Sequence, residues 1–381
     1  MDPTGRAKRL TRVRVGLHVG QLFHRVPGGI GRVTELLCAE LPRRAQVVAF
    51  ASGSPRLLRD FGSCPGGRFE FRSLGSVSPR WRYAMWHRFR RHRIDLGVDV
   101  CHAPSLAVPP TTAPLVVTVT DVAFLRHPET FTPHGIRFHE RGLAIARAEA
   151  VAIIVPSEFT RRELVQEGFD PDRIHCVPLA ARVTSSCAPS AGLSGHLSGH
   201  RGARRPYLLA VGTIEPRKDH ATLLAAFQRL RGSHPELGLV IAGATGWLPK
   251  HAARRLERPG VVDVGLVSDP ELDALYDNAA VVVSTSIYEG FGLTVLEGLA
   301  HGRAVVATGI PPHVEIVGAA ARLFPPGDVD ALVAHIDELL SDPVARVDLG
   351  RAGLERARRF DVASTIDAHM EVYARAAFGG G

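Results

Sequence analysis

The stretch that decides the fold runs from Ala279 to Ala307 and reads AAVVVSTSIYEGFGLTVLEGLAHGRAVVA. Ala279–Ser284 is apolar and rich in valine, which suits a strand covered on both faces. Gly290-Phe291-Gly292 makes a turn, apolar residues return at helical spacing over Leu293–His301, and Gly302 ends that helix. Ala304–Ala307 is a second apolar strand. Strand, glycine turn, helix, strand is a βαβ unit of a parallel sheet, and in such sheets ligands bind at the carboxyl ends of the strands. The unpaired amides that open the helix, with its dipole, make an anion site. Glu289 stands before the turn and Glu297 inside the helix; a carboxylate there can accept bonds from paired hydroxyls, as an acidic residue does with ribose. The plainer reading is a strand–helix turn with a solvated Glu.

Outward from this unit the alternation continues. Tyr207–Val211, Leu237–Ala242 and Val261–Val264 read as strands. Ala221–Leu230, Pro270–Asn278 and Asp330–Leu340 read as helices. Upstream, Val13–Val19, Gln46–Phe50, Val98–His102, Leu115–Thr120 and Val151–Val155 are strand candidates. A helix with Val33, Leu36, Leu37 and Leu41 on one face follows the glycines at 28–31, Phe138–Ala150 is helical, and Ser157 caps a helix over Arg161–Gln166. Ser185–Arg205 (SSCAPSAGLSGHLSGHRGARR) has no apolar period and reads as a linker. The expectation is an α/β protein of two parallel-sheet domains, 1–184 and 206–360, with a cleft between them.

Composition agrees. A chain of 381 residues favours two domains at ~100–200 residues each. Its 45% hydrophobic and 22% charged residues exclude disorder and a disulfide scaffold. The net charge is +8, and 43 of the 46 basic residues are Arg, whose planar fork suits phosphate. Such a surplus attracts nucleic acid, anionic lipid or a phosphorylated small molecule alike, but no nucleic-acid recognition module accompanies it. Five scattered cysteines without a CxxC pair speak against structural zinc and for a reduced cytosol. No apolar run approaches the ~20 residues that cross a bilayer, and Val13–Val19 is too short and polar for a signal-peptide core. A cytoplasmic protein is expected.

Four further segments carry candidate chemistry. Gly212–Asp219 (GTIEPRKD) follows a strand and sets Arg217 and Lys218 just before a helix, the end where cations oppose the dipole; that points to an anionic ligand, most simply a diphosphate. Gly28–Gly31 lets backbone approach a ligand but is only a partial GxGxxG, and a tight turn explains it equally. Asp121, after the Leu115–Thr120 strand, suits hydroxyl contact or proton handling, or a turn cap; His102 has the same standing. Arg80–Arg93 (RWRYAMWHRFRRHR) spaces Trp81, Met85 and Phe89 by four, either a core-facing stripe with a wet basic back or an interfacial helix on anionic lipid. The triplets Asp328–Asp330 and Asp170–Asp172 read as capping turns, so no essential metal is expected.

These residues together resemble the retaining GT-B glycosyltransferases of glycosyltransferase family 4, in its mannosyl- and rhamnosyltransferase-like branch. The likeness runs over nearly the whole chain, through GGIGRVTELL (28–37), VDVCHAP (98–104), VTVTDVAFLRHPETF (117–131), VPSEFTRREL (155–164), YLLAVGTIEPRKD (207–219) and YEGFGLTVLEGLAHGRAVVAT (288–308). Glu289 and Glu297 form the family's E-x7-E motif. The resemblance implies the GT-B fold, two Rossmann-like, doubly wound domains facing across a cleft, with a nucleoside diphosphate sugar as substrate and no cofactor or metal. It implies that Glu297 holds the ribose and Glu289 the sugar, with Gly212, Gly290 and the amides of Phe291, Gly292 and Leu293 around the donor. Arg217 and Lys218 would neutralise the diphosphate and Gly29 approach it from the opposite domain. Glu289, Arg217, Lys218 and Asp121 are then the catalytic set, and a last helix within 361–381 crosses back to the first domain. Three positions depart from the family pattern: Thr120 where His is common, Thr213 where Arg is common, and Pro312-His313-Val314-Glu315 in place of an acidic Pro-Glu. The implied activity is transfer of a hexose, with GDP-mannose the first candidate donor, to a glycan, lipid-linked or small acceptor. A phosphorylase would need a Schiff-base Lys among only three, Lys8, Lys218 and Lys250. A sugar-nucleotide-binding protein without turnover is the remaining alternative.

Overall fold

In a computed structural model of the chain, the described residues are 13–24, 28–52, 69–75, 77, 79–181, 206–244, 246 and 258–379. The chain divides into two compact units, residues 1–179 with 362–381, and residues 180–361. The stretch 185–205, expected to be a linker, lies outside the described residues.

The first unit is built on strands β1 (Arg14–His18), β2 (Gln46–Ala51), β3 (Phe69–Ser73), β4 (Val100–Ala103), β5 (Leu115–Thr118), β6 (Ala152–Val155) and β7 (Ile174–Cys176). Their order is β3-β2-β1-β4-β5-β6-β7, and all neighbours run parallel. The order reverses between β1 and β4, the switch point of a doubly wound sheet. Helices α1 (Gly28–Glu40), α2 (Pro79–Arg88), α3 (Pro133–Glu149) and α4 (Glu158–Gln166) accompany it. The glycines at 28–31 are thus the first turn of α1 rather than a loop before it. α3 begins at Pro133, not Phe138, because Thr132 Oγ1 accepts the Gly135 N–H at 3.1 Å and Pro133 takes the first helical position. Ser157 caps α4 as expected, its Oγ accepting the Thr160 N–H.

The second unit carries β8 (Tyr207–Val211), β9 (Gly238–Ala242), β10 (Val261–Gly265), β11 (Val281–Ser284), β12 (Ala304–Thr308) and β13 (Arg322–Phe324), in the order β10-β9-β8-β11-β12-β13 and again all parallel. Its helices are α5 (His220–Ser233), α6 (Asp269–Asn278), α7 (Leu293–Ala300), α8 (Pro311–Val317), α9 (Val329–Ser341) and α10 (Pro343–Ala357). Leu223, Phe227 and Leu230 of α5 and Leu332, Ile336 and Leu339 of α9 pack together on one face of the sheet, around Leu208, Ile241 and Val283. Asp328 Oδ1 caps α9 through the Ala331 N–H, and Asp170 Oδ1 accepts the Asp172 N–H, so both acidic triplets serve turns.

The chain then returns to the first unit as α11 (Val362–Phe378). Ile366, Met370 and Tyr373 of α11 join Leu17, Leu37, Val47 and Val100 in that unit's core. The Tyr373 hydroxyl meets His102 Nδ1 at 2.7 Å, and Thr365 Oγ1 donates to the Pro178 carbonyl at 2.9 Å. Among the described residues no helix is long and apolar enough to cross a membrane.

Candidate active site

The switch point of the second sheet lies between β8 and β11, which pair through Leu208 and Leu209. Two loops leave the carboxyl ends of these strands and are stitched to each other. Thr285 Oγ1 donates to the Lys218 carbonyl at 2.7 Å, the Ile287 N–H to the Arg217 carbonyl at 2.9 Å, and the Arg217 guanidinium to the Tyr288 carbonyl at 2.7 Å. Segments some 70 residues apart in sequence therefore form one surface. Gly212 has φ +140°, and a Cβ there would stand 3.2 Å from Lys218 Cε, so the lysine stem lies across a position that favours glycine. Asp219 takes the left-handed region at φ 44°, held by bonds from the Thr222 N–H and hydroxyl to its carboxylate.

On this surface charges pair closely. Lys218 Nζ lies 2.5 Å from Glu289 Oε1, and Arg217 lies 2.9 Å from Glu289 Oε2 and 2.6 Å from Glu215 Oε1. No side chain of the four is more than 16% exposed. Burial alone would push the Glu289 carboxyl up; Lys218 and Arg217 outweigh it and hold Glu289 ionised, well below the usual carboxylate range. The sequence leads one to expect cations awaiting an anion; here two carboxylates balance Arg217 and Lys218, and one of the two is Glu215, which the sequence pattern does not single out.

α7 rises directly from this cluster. Gly292 caps it at φ 116°, and a Cβ at Gly292 would fall 2.7 Å from His313 Cδ2. The Leu296 N–H reaches the Gly292 carbonyl at 3.1 Å, and the amides ahead of it, from Leu293, have no carbonyl of their own helix to bond. Glu297 is buried on the first turns of α7, where the Tyr276 hydroxyl donates to its Oε2 at 2.9 Å. Tyr276 stacks on His301, with ring centroids 4.9 Å apart, and His301 Nδ1 lies 2.8 Å from Asp277 Oδ1. The two acids of the E-x7-E motif thus belong to different networks: Glu289 to the cations, Glu297 to Tyr276. Phe291 is buried edge-on to Phe360. Tyr276 escaped the sequence reading because it sits inside an ordinary amphipathic helix; His313 stood in a segment marked only as unusual.

The remaining candidates lie in the first unit. Asp121 Oδ1 accepts the Ala123 N–H at 2.9 Å, opening the single helical turn Ala123–Arg126. His102 is buried with both ring nitrogens bonded, Nε2 to Thr118 Oγ1 at 2.8 Å and Nδ1 to Tyr373, so it is a structural tie and not a ligand group. Gly29 is exposed in the first turn of α1, and a Cβ there would meet nothing within 4 Å. The α2 stripe is not core-facing. Trp81 is 72%, Met85 47% and Phe89 55% exposed, while Tyr83 and Trp86 turn inward. Arg82 bonds Ser52 Oγ and the Leu74 carbonyl, and Arg90 bonds Glu149 and the Val108 carbonyl, so neither belongs to the open basic face.

Solved structures share this architecture. HepE of Anabaena, determined in complex with UDP-glucose, superposes with a TM-score of 0.70 at 18% identity, covering 94% of this chain and 98% of that one. Sucrose-phosphate synthase of Thermosynechococcus elongatus gives 0.71 at 20% identity, covering 97% and 100%. Two parallel-sheet Rossmann-like units of this kind are the GT-B fold. Residues 27–182 match the family described as Glycosyltransferase Family 4 and residues 199–356 that described as Glycosyl transferases group 1. The O-antigen chain mannosyltransferase B of Escherichia coli is 32% identical over 276 residues, 68% of this chain and 70% of the relative. The phosphatidyl-myo-inositol mannosyltransferase of Mycobacterium leprae is 27% identical over 97% of this chain and 98% of the relative. The chain belongs to glycosyltransferase family 4 and is a sugar-transferring enzyme of the GT-B fold.

Proposed function

We propose that the enzyme is a metal-independent, retaining hexosyltransferase using a nucleoside diphosphate sugar, with GDP-mannose the first donor to try. The observation that carries this reading is the Glu215–Arg217–Lys218–Glu289 cluster at the switch point, whose Glu289 stands in the turn that leads into α7. The mannosyltransferase relatives favour mannose; HepE, with its UDP-glucose, keeps UDP sugars in the panel. Arg217 and Lys218 would carry the diphosphate, Glu289 the sugar, and Glu297 the ribose, while Gly29 lets backbone approach and Gly212, Gly290 and the amides of Phe291, Gly292 and Leu293 complete the donor site. Arg217 and Lys218 would offer their charge where negative charge develops on the leaving phosphate. In the step itself the bond from the anomeric carbon to the phosphate oxygen breaks, and the acceptor oxygen bonds that carbon on the same face. The acceptor proton passes to the departing phosphate. Asp121 would orient a sugar or acceptor hydroxyl. Thr120, in place of the common His, favours a second reading as a nucleotide-sugar-binding protein without turnover.

Thermal unfolding with a panel of nucleotide sugars tests the binding; a donor at 100 times its Kd adds ~2.7 kcal/mol of stability. Product analysis with anomer-resolved NMR then tests transfer and retention, with and without EDTA. No stabilisation by any nucleotide sugar sinks the whole reading, inversion sinks the mechanism, and loss in EDTA restored by Mg²⁺ sinks metal independence.

An acceptor linked to lipid is part of this reading. Trp81 and Met85 on α2 and Phe89 just past its end are exposed beside exposed Arg88 and Arg91, a pattern suited to the headgroup region of an anionic bilayer. Co-sedimentation with phosphatidylglycerol vesicles should fall with salt and with Arg88→Glu/Arg91→Glu. Equal recovery in the supernatant with and without those vesicles removes the membrane from the proposal.

A further inference from the structure

Beneath Gly292 lies a buried imidazole to which the reading above gives no task. His313, on α8, is fully buried. Its Nδ1 stands 2.9 Å from the Thr308 carbonyl oxygen and 3.2 Å from Thr308 Oγ1, while Oγ1 spends its own proton on the Ser286 carbonyl at 2.6 Å. A carbonyl oxygen can only accept, so Nδ1 carries the ring proton. Nε2 is then a bare lone pair, buried and without a hydrogen-bond partner among the described residues. A buried acceptor left unmet is costly, and this one lies on the ring edge that faces Gly292.

The charged groups acting on His313 are those of the donor site. Burial disfavours its charged form most; Glu289 draws a proton toward it and Lys218 repels one. From α10, Arg356 is turned instead to the carbonyls of Glu315 and Ile316, and on α7 Glu297 meets Tyr276. In the free enzyme Lys218 and Arg217 are held by Glu289 and Glu215. An incoming diphosphate competes for both cations. Drawing Lys218 toward a phosphate removes a repelling charge from His313 and takes a partner from Glu289, and both changes favour a proton on Nε2.

We propose that His313 is a positioning residue that takes up a proton at Nε2 from solvent when the donor's diphosphate binds, so that the imidazolium replaces part of the pairing Glu289 gives up. This rests on the nucleotide-sugar reading of the site. No bond in the ligand is made or broken. Because the proton is held more tightly in the complex than in the free enzyme, donor affinity falls as pH rises between the two states' titration ranges, at most tenfold per pH unit.

Isothermal calorimetry with GDP-mannose and UDP-glucose tests it, since a sugar-capped diphosphate has no group of its own titrating near neutrality. Titrations at pH 7 in PIPES, HEPES and Tris yield the protons taken up from the dependence of binding enthalpy on buffer ionisation. We expect uptake approaching one proton per donor in the wild type and almost none in His313→Asn, which keeps a donor toward the Thr308 carbonyl but cannot be charged. His220, which also lies near Lys218, is the competing acceptor, so His220→Asn should retain the uptake. Absence of uptake in the wild type overturns the proposal without needing a variant, as does uptake that survives in His313→Asn or vanishes in His220→Asn. Binding of neither nucleotide sugar, by contrast, overturns the functional reading beneath it.

Discussion

At Gly292 the backbone sits at φ 116° with His313 Cδ2 2.7 Å from where a Cβ would stand. Gly292→Ala must strain the backbone and displace a buried ring, so a loss of about 1–3 kcal/mol is expected. A denaturant midpoint equal to wild type would mean that the turn tolerates a side chain. Glu297→Ala acts differently. It removes a charged acceptor worth ~1.5–3 kcal/mol to a hydroxyl, so nucleoside diphosphate affinity should drop roughly tenfold to a hundredfold. Calorimetry with GDP and UDP measures this directly, and undiminished affinity for whichever nucleotide the wild type binds takes Glu297 out of the ribose site. Glu289, Glu297, Arg217 and Lys218 are legible in the sequence because each follows a strand and stands near a glycine turn; Glu215 is not, since nothing in GTIEPRKD marks it as a partner of Arg217. Nor is the mutual pairing of these side chains: no spacing rule tells that Lys218 reaches Glu289 or that Tyr276 reaches Glu297, since those contacts arise only when β8 and β11 become neighbours.

Element α2 shows where a pattern in sequence runs out. Two aromatic faces compete within ten residues, Trp81/Met85/Phe89 and Tyr83/Trp86/His87, and helical spacing alone cannot say which is covered. The structure turns the second inward, where Trp86 lies 5.1 Å from the His18 ring. Trp86→Ala should therefore cost about 3–5 kcal/mol, and Trp81→Ala within ~0.5 kcal/mol; urea unfolding that ranks them the other way would reverse the assignment. Edge strands β3, β7 and β13 were missed for a related reason. FEFRS, IHC and RLF are short, partly exposed and mixed in polarity, so they lack the valine-rich run that made the central strands plain. α10 hid because only Leu349, Gly350, Gly353 and Ala357 are buried, and two of these four are glycines.

For the molecule as a whole, acid is the revealing condition. His18, His87, His102 and His369, all in the first unit, are kept neutral chiefly by burial, which lowers His18 to about 3 and His87 and His369 to about 4, with His102 well below its ordinary 6.5. Unfolding exposes these rings and lets them charge. Their stabilising effect is complete above pH 6.5 and is lost as pH falls toward 4, by up to ~1.4 kcal/mol per pH unit for each histidine. Trp86 fluorescence during urea unfolding should accordingly give a clearly lower midpoint at pH 5 than at pH 7.5. Coincident midpoints would show that these rings are not held neutral.

The return of α11 to the first unit also dictates an order of assembly during translation. Residues 180–361 are contiguous, so the second unit holds all of its own chain once Asp361 has left the ribosome. The first unit, although made earlier, must wait: until Ile366, Met370 and Tyr373 emerge, its core lacks one wall and His102 lacks its hydroxyl partner. A premature stop in the codons for α11 would thus leave the last-made half sound and the first-made half open to proteolysis.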